Sequence, residues 1–212
     1  MKIFIIGANG RSGSLLAKEA VKRGHQVTGV VRKELKDTQG GKVLEFRKDL
    51  FDLTTEDLIQ ADVVIDAFGM FDPTKLEQHK TSLKHLTNIL ADTNVRLLVV
   101  GGAGTLFVDE AKTMRLVDQP NFPAEYYDLA FIEGEAYEEI IKVDNVKWSY
   151  FSPAAVFDAE TQGTGNFVLG QDNLFVNDNG ESYATYSDAA IAIINEVENN
   201  NFMNKRFTIV SN

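Results

Sequence analysis

Cysteine is absent from the 212 residues, which excludes disulfides, a thiolate nucleophile and any cysteine-bound metal. Histidine is scarce: His25, His79 and His85 are too scattered to make a metal cluster. Positive charge is in deficit, with 21 Lys and Arg against 31 Asp and Glu and a net charge of −10. That balance argues against a nucleic-acid partner, because phosphate backbones are held by clustered Lys and Arg. Long apolar runs are missing too. The opening "MKIFIIGANG" meets Gly and Asn after a few residues, too soon for a secretory h-region. No later stretch approaches the ~20 apolar residues of a membrane span. Neither paired carboxylates nor a Ser-His-Asp arrangement emerges to suggest hydrolysis. The chain reads as soluble and cytoplasmic, with no membrane partner.

What is present fits one globular domain. Hydrophobic residues make up 44% and charged residues 25%, an ordinary balance, and the length suits a single domain with a self-sufficient core. No internal repeat or linker divides residues 1–212, although about 153–186 reads as a small C-terminal substrate-side region. Short β-rich runs fall at 2–6, 26–31, 42–46, 62–67, 96–101, 147–152 and 206–210. Helical periodicity falls near 12–24, 75–93, 124–142 and 187–199; in 75–93, Leu76, Leu83, Leu86 and Leu90 share one face. Alternation of this kind predicts an α/β fold, a doubly wound, mostly parallel sheet with helices on both faces. The Gly- and Asn-rich stretch 158–182 reads as a long loop with one or two short strands, and loops of that length often bind ligands.

The strongest local signal is "IIGANGRSG". Gly7, Gly10 and Gly13 stand at G-x-x-G-x-x-G spacing, after a strand and at the mouth of a helix. That pattern serves a tight turn, close backbone approach to a pyrophosphate, and close helix–strand packing. The helix N-terminus adds free N–H groups and the positive end of its dipole. Asn9, Arg11 and Ser12 lie within the same loop. About 20 residues on, an NAD site would carry Asp or Glu for the ribose 2′-OH. Here "VVRKELK" places Arg32 and Lys33 instead. A guanidinium can clamp a 2′-phosphate through two hydrogen bonds, and Arg11 can add a second positive group. Glu34 weighs against this, and a plainly solvated strand end is the alternative, but NADP(H) is favoured over NAD(H). Further strand ends line the same crevice: Asp49 and Leu50 for adenine; Ala67, Phe68 and Gly69 beside the cofactor; and Gly101, Gly102 and Ala103 beneath the nicotinamide.

"GANGRSG", "VVR", "DL", "VVGGAGTL" and "YFSPAAVF" together resemble the atypical short-chain dehydrogenase/reductase superfamily. The resemblance is closest to its NAD(P)H-binding NADH-flavin reductases, related to NmrA-like proteins and biliverdin/flavin reductases. It covers essentially the whole chain. It implies a Rossmann-type sheet of order 3-2-1-4-5-6, the last strand placed at the edge, and hydride transfer from NAD(P)H to a flavin (FMN or FAD as substrate) or a quinone-like acceptor.

One departure bears on the chemistry. Many members use Tyr-x-x-x-Lys, but here Tyr126, Tyr127, Tyr137, Tyr150, Tyr183 and Tyr186 meet Ala130, Phe131, Ile141, Ala154, Ser187 and Ala190 at that spacing. Reducing an aldehyde builds an alkoxide that asks for a positioned proton donor. Reducing a flavin or quinone delocalises the charge, and stacking the acceptor over the nicotinamide becomes the main task. Tyr127, Ser152 and Thr105 are the candidate catalytic residues, the last standing where biliverdin-type enzymes carry a Ser. Packing is the alternative for Tyr127, and a structural cap for Ser152. His79 reads as a buried or interface histidine, and Glu133, Glu135, Glu138 and Glu139 as a solvated face. Phe68, Phe71, Phe107 and Phe157 form either a flat acceptor pocket or core. A non-catalytic NADPH-binding redox sensor resembling NmrA is the alternative function; an epimerase is disfavoured by the missing pair. Monomer and homodimer are both open.

Overall fold

The computed structural model describes all residues, 1–212. Strand β1 (Lys2–Ile6) leads through the glycine loop into helix α1 (Arg11–Lys22), then β2 (Gln26–Val31) and β3 (Val43–Arg47). A one-turn helix α2 (Thr55–Leu58) precedes β4 (Val63–Asp66), α3 (Gln78–Leu90), β5 (Arg96–Val100), α4 (Ala124–Ile140) and β6 (Lys147–Ser152). Three short strands follow, β7 (Val156–Asp158), β8 (Phe167–Gly170) and β9 (Tyr183–Thr185), before α5 (Tyr186–Asn199) and β10 (Lys205–Ser211).

The main sheet runs β3-β2-β1-β4-β5-β6-β10-β8. All of its pairings are parallel except that of β8 with β10. The expected order 3-2-1-4-5-6 is therefore present, with one correction: the last strand is not the edge. Every residue of β10 but Lys205 is buried, as befits a strand paired on both sides and covered on both faces. The edge falls to antiparallel β8, drawn from the Gly- and Asn-rich stretch, where Val168 faces solvent. β7 and β9 pair in a separate two-stranded ribbon.

Helices α1 and α5 cover one face of the sheet, where Leu16, Ala17, Ala20, Ile193 and Val197 pack on Ile3, Ile5 and Phe207. On the other face α3 and α4 contribute Leu83, Leu86, Leu90 and Ile140 against Val64, Leu97 and Trp148. A buried ion pair fixes α5 to the sheet: Arg96 of β5 pairs with Glu196 and also donates to Ser149 Oγ at 2.7 Å. The C-terminal ends of β1, β2, β4 and β5 are left open between the two helical layers, where ligands of such sheets bind.

Candidate functional site

Gly7 leaves β1 with φ +75°, and a Cβ there would come within 2.6 Å of Ala67 O across the crevice. Only glycine meets both demands without strain. Gly10 N–H donates to Gly7 O at 2.8 Å, closing the tight turn. Gly13 is packed so closely that a Cβ would overlap the backbone of Gly7 and lie 2.9 Å from Ala8 Cα. The loop thereby delivers the N-terminus of α1 to the crevice, with no acidic residue in its first turn. The N–H groups of Arg11, Ser12 and Gly13 have no intrahelical partner, so the cradle fits a pyrophosphate.

Arg32 and Lys33 lie exposed just beyond the end of β2, and Arg11 is exposed at the start of α1. None of the three takes part in the protein's ion pairs. The backbone that carries the two strand-end cations is pinned from elsewhere. Asn9 Nδ2 donates to Glu34 O at 3.0 Å, and Lys36 N–H donates to Asn9 Oδ1 at 2.8 Å. Leu35 N–H donates to Glu45 at 2.6 Å, a bond that holds the Glu45 carboxyl below its usual range. The Asn9 amide is thus occupied in tying the glycine loop to the 32–36 loop.

At the next strand ends, Asp49 caps the turn at 50–52 by accepting from Phe51 N–H at 3.0 Å, and Leu50 is buried in the core. The Leu50 side chain is therefore not free to touch adenine. Gly69 is exposed, while Ala67 and Phe68 are partly buried, the Phe68 ring edge-on to His79. Gly101 and Gly102 have packing reasons in addition to the one expected. A Cβ on Gly101 would overlap the Tyr150 ring, and one on Gly102 the Glu133 carboxylate.

That last contact exposes a residue the sequence reading misplaced. Glu135 and Glu138 do lie on the outer side of α4, paired with Lys80 and Arg115, and Glu139 is exposed. Glu133 turns inward. Its spacing to Ala136, Tyr137 and Ile140, i+3, i+4 and i+7, is the helical-face signal that could have found it. Its neighbours are titratable as well. His79 Nδ1 stands 3.9 Å from Glu133 Oε1, while His79 Nε2 meets the Met70 backbone, 2.9 Å from its carbonyl oxygen and 3.3 Å from its nitrogen. Burial lowers the His79 pKa. Burial also pushes the Glu133 carboxyl up to about 7 and Asp66, at the end of β4, up to about 6. Acids perturbed by burial beside a cleft are candidates for a functional site.

Residues 7–211 match the NAD(P)H-binding family. The chain belongs to that family. The Bacillus subtilis protein YwnB, itself uncharacterized, is 47% identical over 212 residues, all of this chain and 99% of its own. A Streptococcus pneumoniae protein provisionally named an NADH-flavin reductase is 39% identical, covers both chains fully and superposes with a TM-score of 0.96. A Bacteroides thetaiotaomicron protein provisionally named an epimerase is 31% identical over 99% of this chain and 96% of its own, with a TM-score of 0.84. The family binds NAD(P)H, a ligand whose pyrophosphate a glycine cradle of this kind fits. No helix is long and apolar enough to cross a membrane.

Within this NAD(P)H-binding fold the three candidate catalytic residues fare differently. The Ser152 hydroxyl is fully buried between β5 and β10 and makes no hydrogen bond. Thr105 is 5% exposed, and its hydroxyl accepts from Arg206 Nη1 at 2.9 Å. Packing therefore walls both off from a substrate. Tyr127 is exposed, its ring stacked on Phe131 at 6.2 Å. It lines a shallow hollow of about 540 Å³ with Val117, Phe122 and Asp128. Of the four phenylalanines, only Phe71 bares its ring, at 77% exposure, and Phe157 stacks on Tyr186 at 3.8 Å.

Proposed function

We propose that this protein is an NADPH-dependent oxidoreductase that passes hydride to a flavin or quinone-like acceptor. The observation that carries the reading is the set of three cations without ion-pair partners, Arg11, Arg32 and Lys33, around a glycine cradle. A 2′-phosphate supplies the charge they lack. The missing Tyr-x-x-x-Lys pair favours an acceptor that spreads its charge over a ring. The name carried by the 39% identical S. pneumoniae protein supports the same class.

Bound NADPH would supply hydride; the chain's part is binding, orientation and exclusion of water. The glycine loop and the α1 N-terminus hold the pyrophosphate, and Arg32 and Lys33 hold the 2′-phosphate. Gly101 to Ala103 carry the backbone beneath the nicotinamide, leaving the acceptor to enter from the side of α4 and Phe71. The purified protein is mixed with NADPH, and the reduced-nicotinamide absorbance is followed with and without FMN or a simple quinone. The expected result is oxidation that depends on both protein and acceptor. Tight binding of NADPH with no oxidation by any acceptor would overturn the reductase reading in favour of a redox sensor.

A further inference from the structure

The Glu133 side chain is four-fifths buried, yet its carboxylate accepts no hydrogen bond. The one Lys, Arg or His nitrogen within 4 Å of it is His79 Nδ1 at 3.9 Å, beyond hydrogen-bonding reach. The buried side-chain atoms without a partner are Arg96 Nε and Ser152 Oγ, so the Glu133 oxygens keep contact with solvent and can exchange protons with it. The placement of the carboxylate is built rather than incidental. A Cβ on Gly104 would lie 2.8 Å from Ala130 Cβ, and one on Gly134 would lie 3.0 Å from Thr105 Cγ2. Small residues on both sides therefore seat α4 directly on the 101–105 loop. That seating carries the carboxylate over Gly102, at the mouth of β5, where the reacting half of the cofactor belongs.

We propose that Glu133 is a catalytic residue that delivers the proton taken up by a quinone-type carbonyl acceptor as it receives hydride. This rests on the reductase reading above. The acceptor gains a hydride, two electrons and one hydrogen nucleus, from the C–H bond broken in NADPH. Its oxygen, now negative, then takes the proton from the Glu133 O–H bond, and the carboxylate is reprotonated from water through its exposed fifth. In sum NADPH, quinone and one proton become NADP⁺ and hydroquinone.

The surroundings favour such a donor. His79 of α3 holds its Nε2 against the Met70 backbone and turns Nδ1 toward the carboxyl. Asp66 of β4 and Tyr150 of β6 close the inner side, and the Tyr150 hydroxyl donates to the Glu133 carbonyl oxygen at 3.4 Å. Tyr137 packs on Tyr150 with ring centroids 4.9 Å apart and Arg206 lies 4.4 Å over the Tyr137 ring, while Tyr186 of α5 feels the charges of both Arg11 and Glu133. No cation pairs with the carboxyl, and burial holds it near 7, so a large share keeps its proton at neutral pH. Flavin reduction spreads charge over the ring and leans on this proton less.

Two measurements test the assignment. In cofactor-free protein labelled with carbon-13 at the glutamate carboxyl, NMR is expected to show one Glu titrating near pH 7, lost in Glu133→Gln. If every Glu titrates in the ordinary range, the assignment fails. With NADPH and 2-methyl-1,4-naphthoquinone, Glu133→Gln is expected to lower kcat about 100-fold and to abolish the fall in rate as pH rises through 7. NADPH Kd should stay within about twofold, and the FMN-dependent rate should fall less. Glu133→Asp is expected to keep the pH dependence. An active wild type whose kcat is insensitive to Glu133→Gln overturns the donor alone. A wild type that oxidises NADPH with neither acceptor overturns the reductase reading and the donor with it.

Discussion

Replacing Arg32 by Glu tests the cofactor reading most directly. The side chain is exposed and makes no ion pair, so its loss breaks nothing in the free protein. Nor does it hold its own loop, which is pinned by Asn9 on Glu34 O and Lys36 N–H and by Glu45 on Leu35 N–H. The effect should therefore fall on binding and not on folding. A hydrogen bond to a charged group contributes about 1.5–3 kcal/mol, reduced at an exposed site by water and salt. Glu adds repulsion toward a phosphate of charge about −1.5 to −2, while Lys33 and Arg11 remain in place. A net loss of about 2–3 kcal/mol follows, and at 1.4 kcal/mol per tenfold NADPH binding weakens roughly 30- to 140-fold. NADH, which lacks the phosphate, should move by no more than about threefold. Nicotinamide fluorescence titrations with both dinucleotides give the two dissociation constants. Repeating them at high salt should shrink the wild-type preference, since the Debye length falls from about 10 Å at 0.1 M to about 3 Å at 1 M. An unchanged NADPH-to-NADH ratio in Arg32→Glu would refute the assignment.

The same geometry predicts other outcomes. Asn9→Ala removes two bonds between the glycine loop and the 32–36 loop; at about 1 kcal/mol for each neutral bond, less in this exposed setting, urea melts should show a loss near 1 kcal/mol. NADPH affinity should fall several-fold through a disordered phosphate site, and an unaltered affinity would show that the staple is idle. Gly13→Ala places a Cβ against the Gly7 and Ala8 backbone, so it should lower Tm and abolish dinucleotide binding; a variant that binds normally would contradict the packing. Because the folded-state pKa of Glu133, about 7, lies above its unfolded value of 4.5, burial of this group costs stability above pH 7. The cost fades as pH falls toward 4.5. Stability should therefore gain on mild acidification, with Asp66 adding in the same direction between 3.8 and about 6. Glu133→Gln should flatten that slope and gain of order 3 kcal/mol over wild type at pH 8; equal slopes in urea melts at pH 5 and 8 would count against a buried acid.

How far the sequence could be read depended on whether a residue's task was local. The G-x-x-G-x-x-G loop is a local device, since one turn and one helix start need those glycines wherever the strand goes, and its geometry is as expected. The central strands also announced themselves. Val63 to Asp66 and the run 206–210 are apolar enough to be covered on both faces, and their bounds fall within one residue of the structure. β7 and β9 are three residues each, and β8 four. Runs so short have too little periodicity to stand out from a Gly- and Asn-rich loop, and only pairing with distant partners makes them strands. Ser152 and Thr105 failed as candidates for a similar reason. Proximity to a strand end says that a residue is near the crevice, but the side on which its hydroxyl emerges depends on packing from Arg206 and from the flanking strands.

Glu133 illustrates the converse, a residue hidden by composition and revealed by phase. Four glutamates in seven positions look like a wet helix face. Three of them do sit outside, but the fourth falls on the stripe with Ala136, Tyr137 and Ile140. What turns that phase into a site is the approach of α4 to the 101–105 loop, which depends on Gly104, Ala130 and Gly134 having almost nothing to interpose. A bulkier residue at any of these would lift the helix and carry the carboxyl away from Gly102. The smallest side chains in the crevice therefore decide which acid reaches the strand ends. In a chain without the Tyr-x-x-x-Lys pair, that acid is a buried carboxyl on the same helix, with its neighbouring histidine committed elsewhere. The absence that first argued against ordinary carbonyl chemistry is thus matched by a donor of a different kind, suited to acceptors that hold their charge on a ring until a proton arrives.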